Sequence, residues 1–502
     1  MHEPAPRYNS LNMRRQALRP LPFLPAWRMR SRAALLVFAF AGSAALGISG
    51  CAANSIAGPT PNYQNEPFLD TLQRRTFDFF WERTNPVNGL TPDRWPAKSF
   101  SSIAAVGFAL TAYPVGVERA YITRTQAADR TLTTLRWFYQ APQGPAATGT
   151  TGNLGFFYHF LDMDTGLRFQ TVELSTIDTS LLLGGVLFCQ QYYDQPNVTE
   201  DAIRAYADSL YRRVDWPAAQ ANGPLVSMGH SPENGWLNVD YRGYNEAMLL
   251  YVLALGSPTH PIDAAAWPAY TSTYPWATFY GQTHVNFAPL FGHQYSHVWI
   301  DFRGIQDAYM RGRGIDYFEN SRRATLSQRS YATANPDGWK GYSSSVWGLT
   351  ASDGPSDTTL VIDGRSRHFQ TYSARGAAAN EIRDDGTIAP TAAGGSIAFA
   401  PEIAVPALKA MRTTFGGAVF SQYGFFDAFN PTFTDAGAAR MGHVVAGSGW
   451  VDNDYLGIDQ GPIVLMVENY RTGLVWKYMR KSPYIRRGLE RAGFTGGWLA
   501  QP

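Results

Sequence analysis

The stretch that decides the fold is Arg242–Leu255, RGYNEAMLLYVLAL. From Ala247 to Leu255 the only polar side-chain group is the Tyr251 hydroxyl. A surface helix shows one apolar stripe, whereas a helix apolar all the way round is buried on every side. The run therefore predicts an interior helix over Tyr244–Leu255. One acid, Glu246, stands at its entrance, where a carboxylate meets the positive end of the helix dipole and also loses water.

The same design recurs along the chain. In Leu174–Tyr193, Glu173 and Asp178 stand before the apolar run LLLGGVLFCQQYY. In Gly447–Arg471, Asp452, Asp454 and Asp459 come just before an apolar helix over Ile463–Met479, entered through Gly461-Pro462. Proline suits a first helical position. Further helical spacing covers the opening FLDTLQRRTFDFFWER, then Ser101–Tyr113 with Ser101 or Ser102 as N-cap, Thr123–Tyr139, Thr199–Val214, Gln294–Met310, Ile315–Ala332, Pro401–Met411, Ala436–Met441 and Pro483–Ala492. Strand patterns are few: Leu154–Phe160, Thr359–Ile362 and His368–Ser373. About a dozen helices without a sequence repeat predict an all-α fold, an (α/α)6 barrel: a toroid of about twelve helices, with long loops forming a cleft at one end. Helix count alone also fits an α-solenoid.

Composition narrows the function classes. The chain has 502 residues, 45% hydrophobic and 16% charged, with net charge +2. That excludes a disordered chain. No Lys/Arg run persists past the first 32 residues, so no nucleic-acid-binding face is expected. The 14 Trp, 27 Tyr and 29 Phe point first to a thick aromatic core and second to a groove for sugars. Two cysteines build no disulfide framework. Cys189 reads as a small buried hydrophobe. Cys51 closes a secretory signal with Arg30 and Arg32, the apolar run Ala33–Leu46, and small residues. Ile48-Ser49-Gly50-Cys51 resembles a bacterial lipobox, which implies lipidation at Cys51 and, with Ala52 following, an outer-membrane lipoprotein facing the periplasm or exposed at the cell surface. The expected division is a signal at 1–51 (with Met29 an alternative start), a tether at 52–65, and a catalytic domain at 66–495.

The chemistry-bearing residues cluster at helix beginnings and in long loops. His293, His297 and Asp301 have metal-ligand spacing, but Gln294 replaces the glutamate of a zinc-protease motif. A polar helix face is the stronger reading. WGLTASDGP (Trp347–Pro355) and DDGTIAPTAA (Asp384–Ala393) are turn-rich. No nucleophile elbow with its triad, Walker loop or dinucleotide fingerprint is present. Carboxylates plus aromatics in a helical fold fit glycoside cleavage, where one acid protonates the leaving oxygen and one base activates water.

Taken in order, SIAAVGFALTAY, VELSTIDTSLLLGG, RGYNEAMLLYVLALGSPTHP, LFGHQYSHVWIDFRGIQD, IDYFENSRRAT, WGLTASDGP, DDGTIAPTAA and YLGIDQGPIVLMVENYR resemble the bacterial "putative glucoamylase" family. Within it they are most similar to glycoside hydrolase family 144, the β-1,2-glucanases. The resemblance spans residues 66 to 495. It implies hydrolysis of β-1,2-glucan with inversion, no cofactor and no metal. It implies Glu246 as general acid and Asp459 as base, with Glu173, Asp178, Asp301 and Arg303 lining the subsites. Asp353 is grouped with these binding candidates. Aromatic placement, not the resemblance, adds Trp236, Trp347 and Trp450. The polar loop 356–383 is a candidate wall for one end of the cleft. Open alternatives are exo action releasing sophorose, an α-glucan glucoamylase, and a glycan-binding lipoprotein without catalysis.

Overall fold

The computed structural model describes residues 62–501. The signal, Cys51 and most of the tether lie outside the described residues. The last tether residues already touch the fold, since Tyr63 N–H donates to the Tyr470 hydroxyl at 2.9 Å. Among the described residues, no helix is long and apolar enough to cross a membrane.

Fifteen α-helices run through this part of the chain. They are α1 (Pro67–Arg83), α2 (Ile103–Glu118), α3 (Arg124–Gln140), α4 (Thr176–Tyr192), α5 (Val198–Arg212), α6 (Met248–Gly256), α7 (Ala266–Thr271), α8 (Tyr295–Trp299), α9 (Ala308–Arg311), α10 (Tyr317–Ala334), α11 (Pro390–Gly394), α12 (Pro401–Phe415), α13 (Gly457–Arg471), α14 (Leu474–Met479) and α15 (Pro483–Arg491). They fall into two kinds. In α2, α4, α6, α8, α11 and α13 nearly every residue is buried. In α1, α3, α5, α10, α12 and α15 one face is buried. In α5 that face is Glu200, Ile203, Ala207, Leu210 and Tyr211, the spacing of an amphipathic helix. The two kinds alternate along most of the chain. The buried helix α2 packs on both α4 and α13, α4 packs on α6, and α8 touches α4, α6 and α13.

Close approach makes this packing possible. A Cβ on Gly107 in α2 would lie 2.3 Å from the Leu181 carbonyl oxygen in α4, and one on Gly185 would lie 2.2 Å from the Gly107 carbonyl oxygen. Gly184 leaves room for the Trp299 ring, which stacks on Phe108 at 5.2 Å. Its indole N–H donates to Thr111 Oγ1 at 3.0 Å, so the one polar atom of a buried ring is satisfied.

The helices are accompanied by many strands, none longer than five residues among those described, so the all-α expectation holds only for the framework. Three of the largely buried helices are entered directly from two-residue strands: Ser101–Ser102 into α2, Leu174–Ser175 into α4, and Tyr455–Leu456 into α13. Ser102 and Ser175 then cap their helices, accepting from the N–H of Ala105 and Asp178. The strand pairings tie these entrances together. Arg94–Trp95 pairs with Tyr455–Leu456, and Ser101–Ser102 pairs with Phe160–Leu161. Leu174–Ser175 is the central strand of a five-stranded antiparallel sheet that ends at Gly235–Trp236.

Four helix expectations are corrected, the first being that the helix behind Glu246 starts at Met248 rather than at Tyr244. Gln294–Met310 is broken after Trp299, where Gly304 takes φ +73° before Asp307 caps α9. Ile463–Met479 is two helices, separated at Gly473 with φ +68°. The first of them begins at Gly457, so Asp459 lies inside its first turn and Pro462 in its interior. Ala436–Met441 is turn, not helix. The strand reading Leu154–Phe160 is interrupted, giving Phe156–Tyr158 and Phe160–Leu161, while Thr358–Ile362 and Arg365–Phe369 form one hairpin.

Candidate active site

Glu246 lies just before α6, whose N-cap residue Ala247 offers no side-chain cap. The neighbouring α8 supplies the missing group. Ser296 Oγ accepts from Leu249 N–H at 2.9 Å and donates to the Glu246 carbonyl at 2.7 Å. Asn245 Oδ1 accepts from Ala247 N–H and from the Tyr270 hydroxyl. The backbone that carries Glu246 is thus held from three sides. Its Oε2 is buried with no hydrogen-bond partner among the described residues. Burial, and to a lesser degree the charge of Asp178, push its carboxyl up to about 7, although its own backbone N–H works the other way.

Asp178 sits in the first turn of α4. The Ser175 hydroxyl accepts from Asp178 N–H and donates to Asp178 Oδ2. His159 bridges the two acids of this segment. Its Nε2 is 3.4 Å from Asp178 Oδ2 and its Nδ1 is 3.3 Å from Glu173 Oε1, with the ring stacked on Phe160. Burial opposes a charged imidazole, but Asp178, Glu173 and Asp93 outweigh it and raise His159 to about 9. His159 is therefore an imidazolium at neutral pH.

The second group of acids gathers where α13 begins. Asp459, Asp427, Asp353 and Asp452 are all buried. Arg94 Nη1 lies 2.7 Å from Asp353 Oδ2, and Arg94 also pairs with Asp93 and Asp454. Asp353 N–H donates to Asp427 Oδ2 at 2.7 Å. Burial first, then neighbouring carboxylates, push Asp427 up to about 7 and hold Asp459 and Asp452 well above the ordinary range. Asp427 and Asp459 are neighbours, each affecting the other's proton. Such a pair shares one proton, so one member is ionised while the other is not.

Tyr295, at the start of α8, links the two groups. Its hydroxyl is held protonated by burial and then by Asp459, Tyr372 and Glu246. The acid at the mouth of α6 and the acid in the first turn of α13 therefore face one end of the helical framework.

Four expected contacts lie elsewhere. Asp301 follows the C-terminal end of α8, where Arg303 and Arg480 both pair with it. Arg480 lies beyond the C-terminal end of α13, a helix of 15 residues or roughly 22 Å at 1.5 Å per residue, whose first turn holds Asp459. Asp301 and Arg303 are thus structural partners at the far end. Trp347 and Trp450 are completely buried in the core, the latter donating to the Met441 carbonyl. Neither offers a ring face to a sugar. Trp236 is half-buried against Phe156 and His230. Asp353 is wholly buried and held by Arg94, so it acts on the site from beneath. The His293 and His297 spacing gives no paired ligands. Burial holds both imidazoles neutral, with His297 down to about 3; His293 Nε2 donates to the Phe287 carbonyl, and His297 Nε2 shares a hydrogen bond with the Ser321 hydroxyl.

The site also contains His159, Arg94 and Asp427, which the sequence reading missed. Asp427 had a readable signal: it is the one acid in FFDAFNP, an apolar setting like those of Glu246 and Asp178 but built from aromatic residues.

Comparison with known proteins gives a consistent result. The "Putative glucoamylase" family matches residues 238–483. A crystal structure of a "putative glucoamylase" from Bacteroides uniformis is 31% identical, with TM-score 0.73, covering 88% of this chain and all of that one. The endo-β-1,2-glucanase from Chitinophaga pinensis, solved with sophorotriose and glucose, is 29% identical with TM-score 0.73, over 88% of this chain and all of that one. An exo β-1,2-glucooligosaccharide sophorohydrolase from Parabacteroides distasonis is 28% identical over 474 residues, 87% of this chain and 59% of that protein. This chain thus spans less than two thirds of that relative's length. The class defined is a helix-rich protein with buried carboxylates at its helix mouths. The chain belongs to the "putative glucoamylase" family.

Proposed function

We propose that the protein is an inverting hydrolase of β-1,2-glucan, built as an (α/α)6 barrel, with Glu246 as general acid and Asp459 as the base. The observation that carries this reading is the Glu246 carboxyl. Burial brings it to about 7, the range in which a carboxylic acid is still protonated near neutral pH yet gives its proton up readily. In this scheme Glu246 protonates the glycosidic oxygen as the bond to the anomeric carbon breaks. The ionised member of the Asp427–Asp459 pair takes a proton from the attacking water, directly or through a substrate hydroxyl. His159, Glu173 and Asp178 line the entrance with alternating charge, suited to sugar hydroxyls that both donate and accept. The packing of α2 on both α4 and α13, with the alternation of buried and half-buried helices, supports the barrel.

The names of the relatives support β-1,2-linked glucose as the substrate. Endo action is the reading adopted, after the endo-acting relative that this chain matches at 29% identity with TM-score 0.73. Lipidation at Cys51 and an outer-membrane location belong to the same proposal; loss of fatty-acid labelling in Cys51→Ser tests them. The decisive experiment for activity is incubation with linear β-1,2-glucan, with products followed by NMR. The expected result is a range of oligosaccharides released as the α-anomer, none of it in Glu246→Gln. Sophorose as the sole product assigns exo action. Cleavage of starch and not of β-1,2-glucan, or binding without new reducing ends, overturns the proposal.

A further inference from the structure

Beneath Asp459, three short segments deliver carboxylates to one point. Asp353 follows the strand Ala351–Ser352, Asp427 precedes the strand Phe429–Asn430, and Asp452 follows the strand Gly449–Val451. The last two strands pair, with Phe429 opposite Val451, and Asp452 N–H donates to the Ala428 carbonyl at 2.9 Å. The ladder thus fixes Asp427 and Asp452 side by side. One oxygen from each of Asp353, Asp427 and Asp452 lies within 4.8 Å of the others.

Each carboxylate is anchored through one oxygen and bare at the other. Asp353 Oδ2 takes Arg94, Asp427 Oδ2 takes the Asp353 N–H, and Asp452 Oδ1 takes the N–H groups of Asn453 and Asp454. Asp353 Oδ1, Asp427 Oδ1 and Asp452 Oδ2 are buried with no partner among the described residues. Asp459 Oδ2, in the first turn of α13, is a fourth buried oxygen without a partner among the described residues. Buried polar atoms are normally satisfied, so a group of orphans converging from separate elements marks a ligand. The charge count agrees. Of the three, only Asp353 is ion-paired with Arg94 among the described residues; Asp93 and Asp454 share that cation, and the nearby Arg375 is taken up by Asp385.

We infer that Asp353, Asp427 and Asp452 form a binding site for one hard divalent cation, Ca2+, which holds the floor of the cleft. All three ligands are carboxylate oxygens, a donor set without nitrogen or sulfur that suits Ca2+ and Mg2+ better than zinc or copper. Oxygens gathered within 4.8 Å of one another can all reach one such ion, and Ca2+ is preferred because Mg2+ keeps several waters and is seldom held by carboxylates of the protein alone. The site is structural; Asp427 also belongs to the pair proposed as base, so the test reads binding and unfolding, neither of which depends on hydrolase activity.

The test is binding by the metal alone. Protein stripped with EDTA is titrated with CaCl2 by calorimetry and by thermal unfolding. The expected result is one Ca2+ per chain and a midpoint raised by about 3 °C at a hundredfold excess over the dissociation constant. Asp452→Asn should lose both effects while matching or exceeding the wild type in EDTA, since it removes a buried negative charge. Asp164→Asn, on an exposed turn, should keep both. If Asp452→Asn does not fold, binding at one Ca2+ per chain in the wild type is read against Asp353→Asn instead. No binding, or equal binding in the wild type and the cluster variant, overturns the site and leaves shared protons as what satisfies these oxygens.

Discussion

Asp178 Oδ2 lies 3.4 Å from His159 Nε2, so the acid at the mouth of α4 is paired with an imidazolium. The charge of Asp178 is one reason Glu246 holds its proton. In Asp178→Asn the repulsion is gone, and the Glu246 carboxyl falls below its value of about 7. A general acid must be protonated, so the alkaline fall in activity should move to lower pH. Profiles of kcat/KM against pH on β-1,2-glucan read this out. An unmoved or raised alkaline limb removes Asp178 from control of the acid.

Glu246→Gln separates activity from stability. Loss of the proton donor should lower kcat by about 10²- to 10⁴-fold. Stability should move the other way, with a defined pH dependence. The unfolded Glu246 ionises near 4.5, while the folded one keeps its proton to about 7. The folded state therefore binds more protons across that window, and wild-type stability falls as pH rises through it. The loss is on the order of 3 kcal/mol at about 1.4 kcal/mol per pH unit. Glu246→Gln lacks this slope, so its midpoint should gain on the wild type from pH 4.5 to 7 and run parallel above. Parallel curves throughout show that the carboxyl is solvated.

The framework was legible because burial writes itself into composition. Runs such as Ala247–Leu255 and Leu181–Cys189 have no polar face, and such helices end up inside. Glu246 and Asp178 stood out as acids against that background. Arg94 and His159 did not, because their environment comes from strand pairing across distant segments. Arg94 reaches α13 only through the pairing of Arg94–Trp95 with Tyr455–Leu456. Trp347 and Trp450 misled for the converse reason: a tryptophan in a loop beside acids reads the same whether its ring faces a sugar or the core. The break after Trp299 was missed because periodicity continued through a glycine with φ +73°.

Arg94 carries a stability prediction of its own. It pairs with Asp353 at 2.7 Å and with Asp93 at 3.2 Å, and its side chain is nearly buried. Arg94→Met leaves Asp353 without its counter-charge, a change that costs about 3–5 kcal/mol at buried pairs. Adding Asp353→Asn should recover a large part of it. Urea unfolding of the two single variants and the double variant in EDTA measures the coupling. Strict additivity would show that the pair contributes nothing as a pair.

The crossing of α2 and α4 gives the sharpest test of the fold. Gly107 and Gly185 face each other so closely that a methyl group on either would enter a backbone carbonyl at 2.2–2.3 Å. Backbone cannot swing aside like a long side chain, so the two helices must separate. Their entrances carry Ser102 and Asp178, and separation reaches the site directly. Gly107→Ala should therefore exceed the usual overpacking cost of about 1–3 kcal/mol. Even a protein that still folds should lose activity. Gly417→Ala, where an added methyl meets nothing within 4 Å, should change stability by less than about 0.5 kcal/mol. Chemical denaturation of both variants decides the matter: equal stability would mean that the helices cross with room to spare.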